Sequence, residues 1–315
     1  MARGWKVWTA LWIVYLVWGS TYFAIKISVR TLPPLLSAGA RFMVAGLILA
    51  AIVTLQGRSL RVPWREARAA AALGIALLGT GVGVVTLAET RIDSSIAAMI
   101  AGSVPLQVII WRTIARQHIA LATRLGAIVG LAGLALIVVP TGVGGGATAI
   151  GLAMMLGATM SWSLGSFFST RVTLPRDGFV ATVYEMLAGG FVLVIVSLIA
   201  GEGGDLAAAT LSAASIAAWA YLVTAGSLVA FTAYAWLLQN APISQVVTHQ
   251  YVNPLVAIGL GSVFLGESLS ATTIVGAAIV IGAVFVTIRS ESRRIAIPVT
   301  VPTAPESETC ASALR

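Results

Sequence analysis

Two ionisable residues lie well inside long apolar runs of this chain, Arg41 in the second run and Glu185 in the seventh. A charged side chain near the middle of a membrane span costs about 2.5–3.5 kcal/mol on insertion scales, so it is retained where it is paired or where it faces a watery cavity. Two interpretations follow. The residues form a buried ion pair or bind backbone carbonyls separately, or they bind a substrate or a proton.

A polar stripe crosses the ninth apolar run. Gln245, His249 and Asn253 are spaced four residues apart, which places them on one face of a helix, and Gln250 lies beside them. A histidine can titrate near neutral pH, although a lone histidine in a membrane is often an interhelical hydrogen-bond donor. We predict that this stripe faces a cavity.

The first run carries aromatic side chains along one side. Trp8 and Lys26 are expected to anchor the run at the membrane interfaces. Trp18 and Tyr22 lie too deep for that role, and with Trp162 of the sixth run they are candidates for the walls of a cavity. Aromatic walls with a few polar groups are typical of sites for small amphipathic organic molecules.

Smaller polar side chains recur at helical spacing in two further runs. Hydroxyl groups in membrane helices often bond back to their own backbone, so we expect most of these residues to stabilise helices rather than to bind a solute. The residues are Ser103 and Gln107 in the fourth run, and Thr159, Ser163, Ser166 and Thr170 in the sixth.

The elements that position these groups follow from composition. Of the 315 residues 58% are hydrophobic and 10% are charged, whereas a soluble domain carries about 25% charged residues. Most of the surface must therefore face lipid, where backbone groups are satisfied within helices. We expect an all-α polytopic membrane protein with ten transmembrane helices, near 7–26, 35–55, 69–88, 94–113, 122–140, 148–169, 179–200, 213–238, 243–265 and 270–288.

The chain contains an internal duplication. Trp18 precedes Arg41 by 23 residues, and Trp162 precedes Glu185 by the same distance. The two copies cover residues 7–140 and 148–288, each with five predicted spans, and a glycine-rich linker lies between them. Because five is odd, the second copy must be inverted, and inverted five-helix repeats usually place the substrate of a secondary transporter at the repeat interface.

The alignment of the two copies also shows where they differ. Arg41 and Glu185 occupy the same repeat position with opposite charge, so repeat symmetry allows them to pair. The counterparts of the polar stripe in the first copy are all apolar: Ile96, Ile100 and Val104. A packing role shared by both copies does not predict this asymmetry, which favours a functional role for the stripe.

Charge predicts orientation. We assume that the N-terminus is cytoplasmic and count the Lys and Arg residues in the loops and at the ends of the spans. Fourteen then lie on the cytoplasmic side and three on the other side, which is the positive-inside pattern. Both termini are then cytoplasmic, and residues 289–315 are expected to form a disordered tail. The net charge of +8 is scattered over short loops, so we expect contact with the lipid bilayer and not with nucleic acid.

Several kinds of chemistry have no sequence support. The chain has no HExxH, GxSxG or GxxxxGK[ST] motif, and its single cysteine, Cys310, lies near the C-terminus. We therefore expect neither an enzyme nor direct use of ATP, and no cofactor or metal. The expected partner is a small-molecule substrate, and the sequence does not indicate an oligomeric state.

Short motifs resemble the EamA family of the drug/metabolite transporter superfamily. They are the run from Trp18 to Lys26, Arg41-Phe42, Ser161-Trp162, Asn253-Pro254 and Leu265-Gly266-Glu267, followed by Gly276 and Gly282. The resemblance covers about residues 7–288 and implies ten helices, two repeats and export of metabolites, amino acids or toxic organic compounds. Where that family usually repeats a Gly-Glu pair, the first copy here has Arg116-Gln117-His118.

These observations lead to one functional hypothesis with alternatives. We expect an inner-membrane secondary transporter that exports small organic metabolites, amino acids or drugs by alternating access, with His249 or Glu185 as candidates for a coupling proton. An uncoupled facilitator is the alternative, ahead of a membrane-embedded enzyme or a scaffold. The expected substrate-binding residues are Trp18, Tyr22, Arg41, Trp162, Glu185, His249, Gln250 and Asn253.

Overall fold

The computed structural model describes residues 2–92, 97, 100–138, 148–208, 210–256 and 271–295, apart from the side chains of residues 2, 3, 22, 137, 138, 207, 208, 273 and 291–295. Within these ranges the chain is helical and contains no strand. The helices are α1 (Ala2–Ser28), α2 (Pro34–Leu55), α3 (Trp64–Ala88), α4 (Val104–Ile114), α5 (Leu121–Val138), α6 (Ala149–Ser169), α7 (Gly178–Ile199), α8 (Glu202–Ala208), α9 (Ala213–Asn240), α10 (Ile243–Val246) and α11 (Ala271–Ile295).

Six of the described helices are long and apolar enough to cross a membrane: α1, α2, α3, α6, α7 and α9. Shorter apolar helices cover Val104–Ile114, Leu121–Leu136 and Ile274–Ser290. The all-α membrane class is therefore confirmed. The predicted start of the fourth span and the end of the ninth fall outside the described residues, as do the glycine-rich linker and Glu267.

Two differences from the sequence expectation lie in α11 and α8. Helix α11 continues to Ile295, so the first residues of the predicted tail at 289–315 are helical, because no Gly or Pro interrupts the chain before Pro298. The short helix α8 forms between the seventh and eighth predicted spans, where no helix is predicted. Its Glu202 carboxylate accepts hydrogen bonds from the backbone N–H groups of Leu35 (3.2 Å) and Leu36 (2.6 Å), which caps the start of α2.

Glycines set the closest helix contacts. A Cβ on Gly39 of α2 would lie 3.0 Å from the carbonyl oxygen of Gly190 in α7. One on Gly74 of α3 would lie 2.0 Å from the carbonyl oxygen of Glu185. Only glycine allows backbones to approach so closely, and such small-residue contacts replace the hydrophobic driving force that lipid removes. Helix α7 is therefore held against both α2 and α3, while α5 packs along α11.

The third long helix of each half contains a π-helical segment, Ile75–Val82 in α3 and Leu222–Phe231 in α9. The second segment begins 147 residues after the first, close to the offset at which the two copies align. A π segment changes the direction of the backbone groups around it, and such segments are frequent at functional sites. Gly226, at the centre of the second one, contributes a backbone carbonyl to the site described below.

The bundle has two ends, which we name after residues of α1. The Lys6 end carries the starts of α1 and α7 and the end of α9, since Lys6, Asp177 and Asn240 line one crevice there. The Lys26 end carries the end of α1 and the start of α9, where the Ser215 hydroxyl donates a hydrogen bond to the carbonyl of Ile27 (2.8 Å).

Candidate functional site

A cavity of about 90 Å³ lies inside the bundle, between helices of both halves. Six of the eight predicted binding residues line it: Trp18, Arg41, Trp162, His249, Gln250 and Asn253. Glu185 does not line it, nor does Gln245, and the side chain of Tyr22 lies outside what the structure describes. Drug-sized ligands occupy pockets of about 300–1,000 Å³, so this conformation has room for several waters or a very small solute.

Arg41 is the charged group of the cavity. The side chain is 6% exposed, its Nε donates a hydrogen bond of 2.7 Å to the hydroxyl of Ser227, and its guanidinium lies 4.9 Å from the centre of the Phe42 ring. Within the described residues Arg41 forms no ion pair with a carboxylate. The guanidinium is therefore positioned by a neutral hydroxyl, which leaves its positive charge uncompensated at the wall of the cavity.

Arg41 and Glu185 share a repeat position but face different helices. Arg41 extends from α2 to Ser227 of α9, whereas the backbone of Glu185 packs against Gly74 of α3. The Glu185 side chain is 3% exposed, and its Oε2 has no hydrogen-bond partner in the described structure. The ion pair that repeat symmetry allows between these two residues is not formed in the described structure.

An aromatic cluster closes one side of the cavity. The rings of Trp18, Trp162, Tyr234 and His249 are mutually in contact, with centroids of neighbouring pairs 5.0 to 6.5 Å apart. Trp18 also donates a hydrogen bond from Nε1 to the carbonyl of Gly226 (3.1 Å), next to the serine that holds Arg41. The cluster fixes these rings, because each ring packs against three others and Trp18 is held in addition by its N–H.

The helix that carries the polar stripe is interrupted beside this cluster. Helix α10 ends at Val246, a turn follows at 247–248, and the chain is helical again over 249–256. The break leaves the carbonyl of Val246 as the partner of His249 Nδ1, at 3.0 Å. A carbonyl only accepts, so Nδ1 carries the proton of a neutral His249 and Nε2 is an acceptor. His249 Nε2 has no partner in the described structure.

Two amide side chains near His249 also have acceptor atoms without a partner. Gln250 Oε1 and Asn253 Oδ1 are buried and lack a hydrogen-bond partner among the described residues, as does His249 Nε2. All three residues line the cavity. A buried polar atom without a partner costs about 1–3 kcal/mol, so three of them in one wall indicate a place for a ligand or water that donates hydrogen bonds.

Contacts between the halves close the Lys6 side of the cavity. Tyr15 of α1 shares a hydrogen bond of 2.6 Å with Thr248, and Arg112 of α4 donates a hydrogen bond to Ser244. The cavity extends in the opposite direction, past Ile25 and Val85 toward the Lys26 end. Within the described residues, contacts between side chains of the two halves therefore close the Lys6 side of the cavity.

The weaker polar stripes serve helix packing. Gln107 of α4 donates hydrogen bonds to Ser103 (2.9 Å) and Thr159 (3.1 Å) and accepts one from Ser163 (2.9 Å). Ser166 shares a bond of 2.6 Å with Tyr234. Thr170 bonds back to the carbonyl of Phe167 (3.0 Å). Of these residues only Thr159 also lines the cavity.

Sequence reasoning missed Glu89, which follows the end of α3. Both of its carboxylate oxygens are buried without a hydrogen-bond partner in the described structure. Burial raises the pKa of Glu89 to about 8, and the positive charge of Lys26 offsets part of this rise. Glu89 lies one helical turn beyond Val85, which lines the cavity. The signal in the sequence is an acidic residue directly after an apolar run, whereas the predicted site includes only residues inside the runs.

Comparison with known proteins identifies the scaffold that carries this cavity. A model of the EamA-like transporter family matches residues 6–139 and matches again at residues 149–289. The chain belongs to the EamA-like transporter family. The resemblance inferred from the motifs is thereby confirmed, and the chain is a membrane transporter.

Relatives and a solved structure extend this result. YedA, an uncharacterized inner membrane transporter of Escherichia coli (strain K12), is 39% identical over 262 residues, which cover 83% of each chain. An uncharacterized transporter of Archaeoglobus fulgidus is 25% identical over 287 residues, 90% of this chain and 99% of the relative. A solved crystal structure aligns with a TM-score of 0.75 at 19% identity over 93% of this chain and 99% of that chain, which shows that the two share a fold.

Proposed function

We propose that this chain is a secondary transporter that moves small organic solutes across the inner membrane by alternating access. The observation that carries the proposal is the chemistry of the central cavity. Arg41 presents an uncompensated positive charge, while His249, Gln250 and Asn253 present unpartnered acceptors to the same space. A site with both features suits a solute that has an anionic group and hydrogen-bond donors.

The solute class follows from these two features. A carboxylate accepts from the guanidinium of Arg41 with charge-assisted hydrogen bonds. An ammonium or hydroxyl group donates to His249 Nε2 or to the amide oxygens of Gln250 and Asn253. Amino acids and small hydroxy or amino acid metabolites have both groups. Trp18 and Trp162 supply the apolar wall for the remaining carbon atoms.

The transport cycle rests on two inverted halves, residues 7–140 and 148–288. The double family match, the packing of α2 on α7 and of α5 on α11, and the π segments of α3 and α9 support this division. The excess of Lys and Arg in the loops on one side supports an orientation with both termini, and hence the Lys6 end, in the cytoplasm. The conformation described here is then sealed toward the cytoplasm, and rocking of one half against the other opens that side.

Coupling to protons has three candidate groups. His249 and Glu185 are buried in the spans, and Glu89 lies beyond the cavity on the Lys26 side. Each has at least one buried polar atom without a partner, so each can take up or release a proton as the halves rearrange. Export driven by proton entry requires one of them to be accessible from each side in turn. An uncoupled facilitator needs none of them.

Uptake into inverted membrane vesicles tests this proposal. Vesicles from cells that express the chain are supplied with a panel of radiolabelled amino acids and small carboxylic acids, and with a matched panel of amines that lack a carboxylate. We expect uptake of at least one carboxylate above that of vesicles without the protein, and an increase when the vesicle interior is acidic. Uptake confined to the amines contradicts the role of Arg41, and gradient-independent uptake identifies a facilitator.

A further inference from the structure

A second, larger cavity lies at the Lys6 end of the bundle and is separate from the central one. It is a crevice of about 830 Å³ between the first turns of α1, the start of α7 and the last turns of α9. None of its lining residues lines the central cavity. The transport site described above does not account for it.

The mouth of the crevice is basic. Lys6, Arg58 and Arg176 line it together with one acid, Asp177, which forms an ion pair with Arg58. Within the described structure Lys6 and Arg176 are exposed and have no ion-pair or hydrogen-bond partner. Two positive charges are therefore left over after internal pairing, enough to meet one phosphodiester or phosphomonoester group.

The walls of the crevice are apolar and continuous with the lipid-facing surface. Ala10 and Ile13 of α1 face Leu228 and Val229 of α9 across it. Val229 is 50% exposed on the outside of the bundle, so the crevice opens sideways toward lipid as well as toward the Lys6 end. Trp5 and Trp236 also line the crevice. Tryptophan is enriched where a protein surface meets the headgroup layer of the membrane.

A single hydroxyl inside the crevice lacks a partner. Most described serine and threonine hydroxyls of the spans bond back to their own helix, as Thr21, Thr86 and Thr224 do. Thr232 lines the crevice, and its Oγ1 is buried without a hydrogen-bond partner in the described structure. An unpartnered hydroxyl between apolar walls indicates a ligand that brings its own polar atom to that depth.

We propose that this crevice binds one anionic phospholipid of the surrounding leaflet. The phosphate lies between Lys6 and Arg176, an ester or glycerol oxygen meets the hydroxyl of Thr232, and an acyl chain follows Leu228 and Val229 toward the bilayer. The order of these features matches the order of groups along a phospholipid. The charged mouth corresponds to the phosphate, the hydroxyl below it to the ester region, and the apolar exit on the lipid side to the acyl chain. Basic pockets between membrane helices are suited to such headgroups.

Binding of short-chain phosphatidylglycerol to the purified full-length protein tests the proposal. Affinity is measured in detergent by native mass spectrometry and by the rise in melting temperature, with phosphatidylcholine of the same chain length as the neutral lipid and glycerol 3-phosphate as the headgroup without chains. We expect phosphatidylglycerol to bind the native protein about tenfold or more tightly than phosphatidylcholine, and glycerol 3-phosphate to give no measurable shift.

Matched variants locate the site. The double variant Lys6→Gln and Arg176→Gln should weaken phosphatidylglycerol binding by about tenfold or more, since it removes both basic groups that meet the phosphate. The double variant Arg65→Gln and Arg68→Gln, which removes two exposed charges from the start of α3, should bind as the native protein does. Thr232→Val should weaken binding by about threefold through loss of one hydrogen bond.

Three results would overturn the proposal. The first is equal affinity of the two double charge variants for phosphatidylglycerol, which would mean that the basic residues act only through net charge. The second is equal affinity of the native protein for phosphatidylglycerol and phosphatidylcholine. The third is binding of glycerol 3-phosphate as tight as that of the lipid, which would identify a site for a soluble anion. Unchanged binding in Thr232→Val would contradict the depth assigned to the lipid.

Discussion

The guanidinium of Arg41 in the first half is held by the hydroxyl of Ser227 in the second half, through a hydrogen bond of 2.7 Å from Nε. This bond crosses between α2 and α9 and uses a neutral partner for a buried cation. Glu185, which the repeat alignment matches with Arg41, does not line the cavity. The arrangement keeps a positive charge at the cavity wall, where an anionic solute can meet it.

The first prediction compares loss of the charge of Arg41 with loss of the hydrogen bond that Ser227 accepts from it. Arg41→Gln should lower solute uptake by about tenfold or more at equal protein levels, because it removes the charge-assisted contact to a carboxylate. Ser227→Ala keeps the charge and loses one hydrogen bond, so its uptake should fall by a smaller factor, about threefold. Vesicle uptake with immunoblot quantification measures both. A larger loss of uptake in Ser227→Ala than in Arg41→Gln would contradict the conclusion that the charge of Arg41 binds the solute.

The second prediction concerns the close contact of α3 with α7. Gly74→Ala places a Cβ 2.0 Å from the carbonyl oxygen and 2.4 Å from the Cα of Glu185, and neither backbone atom can rotate away. We expect a loss of about 1–3 kcal/mol or more in unfolding free energy. Gly282→Ala is the matched control, since nothing lies within 4 Å of its Cβ. Melting temperatures in detergent compare the two, and similar values for both variants would contradict the packing.

The third prediction concerns the cap that α8 provides to α2. Glu202→Gln removes the charge that two N–H groups at the start of α2 face, so it should reduce the unfolding free energy by about 1–2 kcal/mol. Asp205→Asn on the same short helix removes an exposed charge and should change stability by less than about 0.5 kcal/mol. Thermal unfolding in detergent measures the difference. Equal stability of the two variants would exclude the cap as a stabilising contact.

The fourth prediction is a pH dependence from Glu89. Its pKa is about 8 in the folded protein and 4.5 in the reference state, so between these values the folded state holds more protons than the unfolded state. Stability therefore falls as the pH rises through this window. Glu89→Gln removes this contribution, and its melting temperature should decline less than that of the native protein between about pH 5 and about pH 8.

Glu66→Gln, at the other end of α3, controls for the loss of one carboxyl group. If Glu89→Gln and the native protein showed the same decline of melting temperature with pH, the buried state of Glu89 would be contradicted. The same variant in the vesicle assay shows whether Glu89 also takes part in coupling. Loss of the response to a pH gradient, with uptake retained, would assign the coupling proton to this residue.

Much of the helical architecture could be predicted from the sequence. The apolar runs locate most of the described helix ends to within a few residues. The exceptions are the starts of α1 at Ala2, α3 at Trp64 and α4 at Val104, the end of α11 at Ile295, and α8, which no run predicts. Lipid leaves little alternative to helix over such runs, so composition and length were sufficient. The sequence does not predict the break at 247–248, because Val247 and Thr248 are neither Gly nor Pro.

The geometry of the site was only partly accessible. Helical spacing correctly grouped His249 with Asn253, since both line the same cavity, yet Gln245 of the same stripe does not. The turn at 247–248 interrupts the helix between Gln245 and His249, whereas helical periodicity assumes an unbroken helix. In the same way, the repeat alignment predicts that Arg41 and Glu185 are equivalent positions. It does not predict which helix each residue contacts, because that depends on how the helices pack.

The most direct test of the central claim compares Asn253 with Gln245. Both are buried amides of the stripe, but only Asn253 lines the cavity, where its Oδ1 has no partner in the described structure. Asn253→Leu should reduce uptake of the transported carboxylate into inverted vesicles by about tenfold or more, through loss of a polar contact in a desolvated site. Gln245→Leu, at matched protein levels, should retain near-native uptake. Equal uptake by the two variants would contradict the assignment of the central cavity as the solute site.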